Sequence, residues 1–257
     1  MARVEPRIVS LVPSITELLC DLGLAEQLVG RTGFCIHPWE TVRTIPKVGG
    51  TKDVRLEAVR ALEPTHVVVN VDENTRETAD ALAAFVPEVV VTHPLGPLDN
   101  LALYRQLGAL FDRAVEAEML CAAFERELEA LRAGGAGGAG ASAWPAQDVL
   151  YLIWRDPWMS VSPDTYISRT LELVNWRTLP RDPAVRYPEV DLASFAGAVD
   201  RVLLSSEPYH FKAAHLAEVA ALVPGARVDL IDGEMTSWYG SRAIGALRAL
   251  ATYAAKR

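Results

Sequence analysis

Apolar positions fall into two rhythms along the chain. Residues 7–11, 66–69 and 88–91 are short β-branched runs, the pattern of strands buried on both faces of a parallel sheet. Between them apolar residues recur every three or four positions, which predicts helices packed on the sheet. Ser14 and Glu17 stand at capping-box spacing, with Gly23 as a stop. Asp53 is placed to cap a short helix through Leu56, Val59 and Leu62, which Glu63-Pro64 ends. Asn74 is placed to cap the next, running to Phe85 before Val86-Pro87 turns the chain. The alternation predicts an α/β lobe over residues 1–97.

From residue 98 the rhythm is purely helical. Leu101, Tyr104, Leu107, Phe111, Val115, Met119, Phe124, Leu128 and Leu131 keep the spacing with no proline and one glycine. This predicts one backbone helix over 98–133, roughly 50 Å long at about 1.5 Å per residue. Residues 134–147 are Gly/Ala-rich and predict a flexible loop; they lack the Lys-Ser/Thr ending of a phosphate cradle. A second α/β lobe is predicted over 148–257, and it repeats the first. Residues 56–70 lie without gaps over 192–206, and Val86-Pro87 matches Val223-Pro224 ahead of another strand. The expected class is α/β: two similar lobes with parallel-rich sheets, joined by one long helix, with a ligand cleft between the lobes.

Ligands of open parallel sheets bind beyond the carboxyl ends of the strands. In the first lobe those ends carry Ser14, Asn70, Asp72 and His93; in the second they carry Trp154, Arg155, Trp158, Tyr209, His210, Trp238 and Tyr239. The loop with Phe34, His37 and Trp39 adds a further imidazole and two rings. Large rings on loops leaving strands make flat apolar walls suited to a bulky ligand with few charges. Their alternative use is to close the lobe's own core. A histidine such as His37 can ligate a metal carried by the ligand, since neutral imidazole suits cobalt or iron.

The charge balance narrows the partners. Against 33 Asp+Glu the chain has 25 Lys+Arg, a net charge of −8, which argues against nucleic acid and anionic lipid. No apolar stretch approaches the roughly 18 residues a membrane-spanning helix needs, and the first apolar run is short for a signal peptide. The chain as given is expected in the cytoplasm, or in the periplasm if Met1 is not the native start. Cys20, Cys35 and Cys121 form no C-x-x-C and are expected as free thiols. A monomer with no intrinsic cofactor is expected. No nucleophile elbow, His-Glu-x-x-His pair, Walker loop or dinucleotide fingerprint is present, so no residue pattern demands catalysis.

Several segments resemble one group of proteins: the run from Arg7 to Glu17, Leu22-Gly23-Leu24, the Cys35-x-His37-Pro38 loop, Pro46-Lys47-Val48-Gly49-Gly50, and Leu62-Glu63-Pro64 ahead of a valine strand. That group is the helical-backbone substrate-binding proteins of ABC importers for cobalamin, haem and iron-siderophores, and the similarity is greatest to its cobalamin-binding branch. The resemblance implies two α/β lobes, a rigid linking helix and a corrinoid or other metal chelate clamped between them. It aligns the first-lobe corrin contact with His37, with Trp39 two residues on, and a second contact with Asn70. In the second lobe it aligns ring contacts with the Trp154–Trp158 and Trp238-Tyr239 loops. The importer-docking glutamate of the first lobe aligns with Arg76, flanked by Glu73 and Glu77 as candidate docking carboxylates for a permease. A ferric-siderophore or haem ligand would call on Arg155 to meet its negative charge. An alternative reading is a cytoplasmic corrinoid-handling enzyme or chaperone on the same scaffold.

Overall fold

A computed structural model describes residues 5–134 and 144–256. The chain divides into two compact units. Unit 1 holds the chain up to Pro94, Asp99–Ala122 and Tyr239–Arg242; unit 2 holds Leu95–Leu98, Ala123–Trp238 and the residues from Ala243 on.

Unit 1 is built on strands β1 (Ile8–Ser10), β2 (Leu28–Arg31), β3 (His66–Asn70) and β4 (Glu88–Thr92), in the order β2-β1-β3-β4 and all parallel. Parallel neighbours require crossovers. These contain α1 (Pro13–Asp21), α2 (Trp39–Val42), α3 (Leu56–Ala61) and α4 (Arg76–Ala83). Val67, Val68 and Val69 are all buried, which is why the sequence of β3 shows no polar alternation. Val9, Leu11, Val59, Val67 and Leu82 share one core cluster. The β2 strand escapes pattern reading because Gly30 interrupts it. A Cβ there would stand 2.6 Å from Leu62 Cδ1 and 3.0 Å from Val9 Cγ2, so close packing selects glycine.

The single helix expected over 98–133 is two helices, α5 (Asp99–Leu110) and α6 (Ala114–Ala133). Asp112 takes a φ of +57° between them. The pair folds back on itself: a Cβ on Gly108 would lie 2.5 Å from that of Ala117. Arg105 meets both oxygens of Glu118 at 2.7 and 3.0 Å, and Cys121 Sγ reaches Leu101 O at 3.7 Å. The result is an αα-hairpin, and α6 alone is about 30 Å long at 1.5 Å per residue. Periodicity misses the break because the apolar spacing keeps phase through it.

Unit 2 contains β5 (Gln147–Trp154), β6 (Met159–Ser160), α7 (Tyr166–Glu172), β7 (Trp176–Leu179), β8 (Arg201–Ser205), α8 (Ala214–Leu222), β9 (Arg227–Ile231), α9 (Gly233–Ser237) and most of α10 (Arg242–Ala254). Its sheet runs β6-β5-β8-β9, with β7 also on β5. The β7 strand lies parallel along the first half of β5 and the short β6 antiparallel along the second, so both use one edge. The β5, β8 and β9 strands are parallel, and the core centres on Leu150, Leu152, Val202, Leu204 and Phe211.

Three cap expectations shift. The α1 helix starts at Pro13 with Val12 at its N-cap and no side-chain cap, so Ser14 lies inside the first turn. Arg55, not Asp53, occupies the N-cap of α3. Thr75 caps α4, accepting from Thr78 N at 3.1 Å, while Asn74 turns back to accept from Asn70 N at 2.9 Å. The loop expected over 134–147 falls largely on 135–143, outside the described residues, and Gln147 already opens β5. No helix among the described residues is long and apolar enough to cross a membrane.

Candidate functional site

Rings gather in unit 2 where β5 and β8 end. Tyr209 N donates to Ile153 O at 3.2 Å and Phe211 N to Ser205 O at 3.3 Å, which holds the loop after β8 across both strand ends. Tyr209 stands edge-on to Trp154 at 5.7 Å and tilted against Phe211 at 4.7 Å. Phe211 in turn stacks on Trp158, with centroids 6.0 Å apart and planes 4° apart. Such offset and edge contacts each add about 0.5–1.5 kcal/mol beyond buried area.

Depth separates these rings. Phe211 is 3% exposed and belongs to the core, Tyr209 and Trp158 are half-buried, and Trp154 is 42% exposed. The array is therefore a wall rooted in the core with Trp154 at its outer edge. His215, within α8, joins it edge-on to Tyr209 at 5.8 Å and to Phe211 at 5.5 Å. Sequence reasoning gave it no role; its four-residue step from Phe211 was the available signal. His210, by contrast, is exposed, with Nδ1 3.2 Å from Ser206 O. Arg155 lies 5.6 Å from the Trp158 ring, and its guanidinium donates to Glu218 Oε1 at 2.8 Å.

A second cluster follows β9. Trp238 Nε1 and Ser237 Oγ both donate to Glu207 Oε1 at 2.8 Å. Burial pushes the Glu207 carboxyl above its ordinary range, the Ser237 and Trp238 bonds oppose this, and Glu234 and Asp232 add to the rise. Sequence reading does not single out Glu207, because no local pattern announces the indole it holds.

In unit 1 the loop after β2 presents Phe34 (61% exposed), Ile36 and Trp39 (53%), with half-buried His37 among them. Its root is fixed by buried Cys35, whose Sγ lies 3.1 Å from Thr32 Oγ1 and 3.8 Å from Ser10 O. Exposed Val71, just after β3, adds an apolar group that sequence reading had no reason to single out. Asp72 and His93 meet at 3.6 Å, and Glu77 is exposed on α4.

Four expected site residues do other work. Asn70 is buried; it donates to Thr92 O at 3.0 Å and accepts from Asp72 N at 2.8 Å and Glu73 N at 3.3 Å, so it clamps strand ends in place of walling a ligand. Ser14 and Tyr239 are interior, at 3% and 7% exposure. Glu73, expected to dock a partner, accepts from Tyr239 Oη at 2.7 Å. Burial first, then the Glu73 charge, holds the Tyr239 phenol well above its usual range. The cause is the Tyr239–Arg242 segment, which belongs to unit 1. Gly240 N donates to Asn100 Oδ1 at 2.6 Å, Tyr104 Oη donates to Gly240 O at 2.8 Å, and Arg242 grips Glu17 at 2.7 and 2.8 Å. Among the described residues, His, Cys, Asp and Glu side chains do not gather in threes fit to hold a metal ion.

A family model described as a periplasmic binding protein matches residues 8–145, more than half of the chain. The vitamin B12-binding protein of Pectobacterium carotovorum subsp. carotovorum is 26% identical over 184 residues, covering 72% of this chain and 65% of that protein. The match thus spans just under two thirds of that relative's length. The vitamin B12-binding protein of Vibrio campbellii is 23% identical over 205 residues, covering 78% and 70%. Among solved structures, the periplasmic vitamin B12 binding protein BtuF of Vibrio cholerae has a TM-score of 0.82 at 16% identity, and the periplasmic heme-binding protein RhuT from Roseiflexus sp. RS-1 one of 0.81 at 21%; each match covers 98% of both chains. At these identities the likeness is one of fold, and fold alone does not name a ligand.

Proposed function

The chain belongs to the periplasmic binding protein family, and we propose that it captures a corrinoid, a cobalamin-like metal chelate, by stacking it on the ring array of unit 2. The observation that carries this reading is Trp154, 42% exposed at the outer edge of a ring wall whose inner member is core. A preformed, half-desolvated aromatic edge loses little side-chain freedom on binding, and its flat face suits a large macrocycle. Unit 1, described by itself, carries exposed apolar groups of its own in Phe34, Ile36 and Trp39. The Pectobacterium and Vibrio relatives, both vitamin B12-binding proteins by name, support the choice of ligand.

Haem and ferric siderophores are the rival cargo, and the haem-binding neighbour keeps haem in the comparison. Their anionic groups would need a cation, but Arg155 is already paired with Glu218 at 2.8 Å. That pairing favours the less anionic corrinoid. The role is binding without turnover, with delivery to an ABC importer permease and Glu77 as the docking carboxylate. The relatives' periplasmic setting supports that compartment over the cytoplasm. Calorimetric titration with cyanocobalamin, cobinamide, haem and a ferric catecholate tests the reading. Saturable one-to-one heat with the two corrinoids is expected. Silence from both, with saturation by haem or the catecholate, would overturn it.

A further inference from the structure

We propose that Glu207 is the positioning residue of the ligand site: its carboxylate fixes the Trp238 indole in its binding orientation, and its protonation lets the ring go. Its functional half adds the half-buried Trp238 as a further ligand contact to the ligand reading above, on which it rests, while its structural half stands without any ligand.

One oxygen of Glu207 takes hydrogen bonds from two consecutive residues, Ser237 Oγ and Trp238 Nε1, each at 2.8 Å. The carboxylate thereby holds both the last residue of α9 and the ring that follows it. The surroundings leave it little room to choose another pose. A Cβ on Gly233 would lie 2.5 Å from Glu207 Cγ and 2.6 Å from Ser205 Oγ. Glu207 N donates to Ser205 Oγ at 3.3 Å, and Gly233 N to Ser206 Oγ at 2.8 Å, so the loop after β8 and the start of α9 are joined. Fixing the indole before the ligand arrives reduces the ordering cost of binding.

The same contacts make the hold sensitive to protons. The titratable groups around Glu207 are Asp232 and Glu234 at the start of α9 and the Tyr151 hydroxyl of β5. Burial above all, with two like charges adding to it, favours the protonated acid, and the two hydrogen bonds oppose it; the balance lies above an ordinary glutamate. An ionised carboxylate accepts strongly from both donors, whereas the protonated acid offers a weaker acceptor and a competing donor. As pH falls through the raised value, Trp238 loses its tether and affinity falls. Release then begins at a higher pH than a solvent-exposed glutamate would set.

The test has a ligand-free and a ligand-bound arm. Without ligand, the Trp238 fluorescence of the full chain (wild type minus Trp238→Phe) is followed over about pH 4 to 8, spanning the ordinary and raised carboxyl ranges. A single titration above the usual carboxylate value is expected. Glu207→Leu should change the Trp238 signal above the titration and match wild type below it, and Glu207→Gln, neutral and carrying its own donor like the protonated acid, should stay near the low-pH signal without titrating. With cyanocobalamin, wild-type affinity should drop about tenfold across the titration, the loss of one strong contact. The Gln variant should lack that pH dependence. The proposal is overturned if Glu207→Gln keeps the wild-type titration, or if Glu207→Leu, shown folded by circular dichroism, leaves the Trp238 signal unchanged. Failure of cyanocobalamin to bind any form would sink the corrinoid reading, while the ligand-free arm still decides the tether.

Discussion

Trp154→Ala and Phe211→Ala remove two rings of one array and should have opposite consequences. Phe211 is 3% exposed, touches Trp158, Tyr209 and His215, and sits in the core with Leu204 and Val219. Truncating such a ring costs about 3–5 kcal/mol. For a chain of this size each kcal/mol lowers the melting temperature by about 2–4 °C, so a fall of roughly 6–20 °C is expected. Trp154 is 42% exposed and meets Tyr209 edge-on. Its loss removes that ring pair, about 0.5–1.5 kcal/mol, and a partly buried surface, so the melting point should move by only a few degrees. A ring at the centre of a binding surface is worth about 2 kcal/mol or more, close to 30-fold in affinity. The assay is thermal denaturation of both variants together with cyanocobalamin titration well below either midpoint. The reasoning is refuted if Trp154→Ala destabilises as much as Phe211→Ala while leaving the dissociation constant unchanged.

The other expectations concern unit 1. Gly108→Val should lower stability by about 1–3 kcal/mol, because the new Cβ meets Ala117 Cβ at 2.5 Å and Arg113 O at 2.9 Å; an unchanged urea midpoint would mean the hairpin is looser than described. Arg242→Met should cost about 1–3 kcal/mol, between the values for exposed and buried pairs, since both side chains are mostly covered; a double-mutant cycle with Glu17→Gln measures the coupling. Burial raises the Cys20 thiol to about 12 and that of Cys35 above its normal value. The reactive thiolate increases only as pH approaches those raised values, so at about pH 8 roughly one Cys20 in ten thousand is ionised. Both should react with a disulfide reagent slowly in native protein and fast in urea, and fast native labelling of Cys20 would contradict the burial argument.

Strands were legible where both faces are covered. The valines of β3 form an unbroken run because a parallel sheet flanked by helices offers no polar face to alternate with, whereas the edge strand β4 keeps its valine run with Val91 53% exposed. The β2 strand was not legible, since the packing that selects Gly30 depends on Leu62, distant in sequence. The break at Asp112 hid for a related reason: the partners that stabilise the hairpin, Arg105 with Glu118 and Gly108 with Ala117, are pairings that spacing does not encode. At the candidate site, sequence located the strand ends but not the depth of the side chains on them. Trp154 ends β5 and Phe211 follows β8, yet one faces out and the other is core. Asn70 and Tyr239 turn inward because Thr92 and Glu73 satisfy their polar atoms, and no local pattern announces such partners.

A structure of the protein crystallised with cyanocobalamin tests the central claim most directly. The account predicts a corrin face within van der Waals reach, about 4 Å, of the Trp154 ring. A corrin bound elsewhere, with that indole left facing solvent, would contradict it.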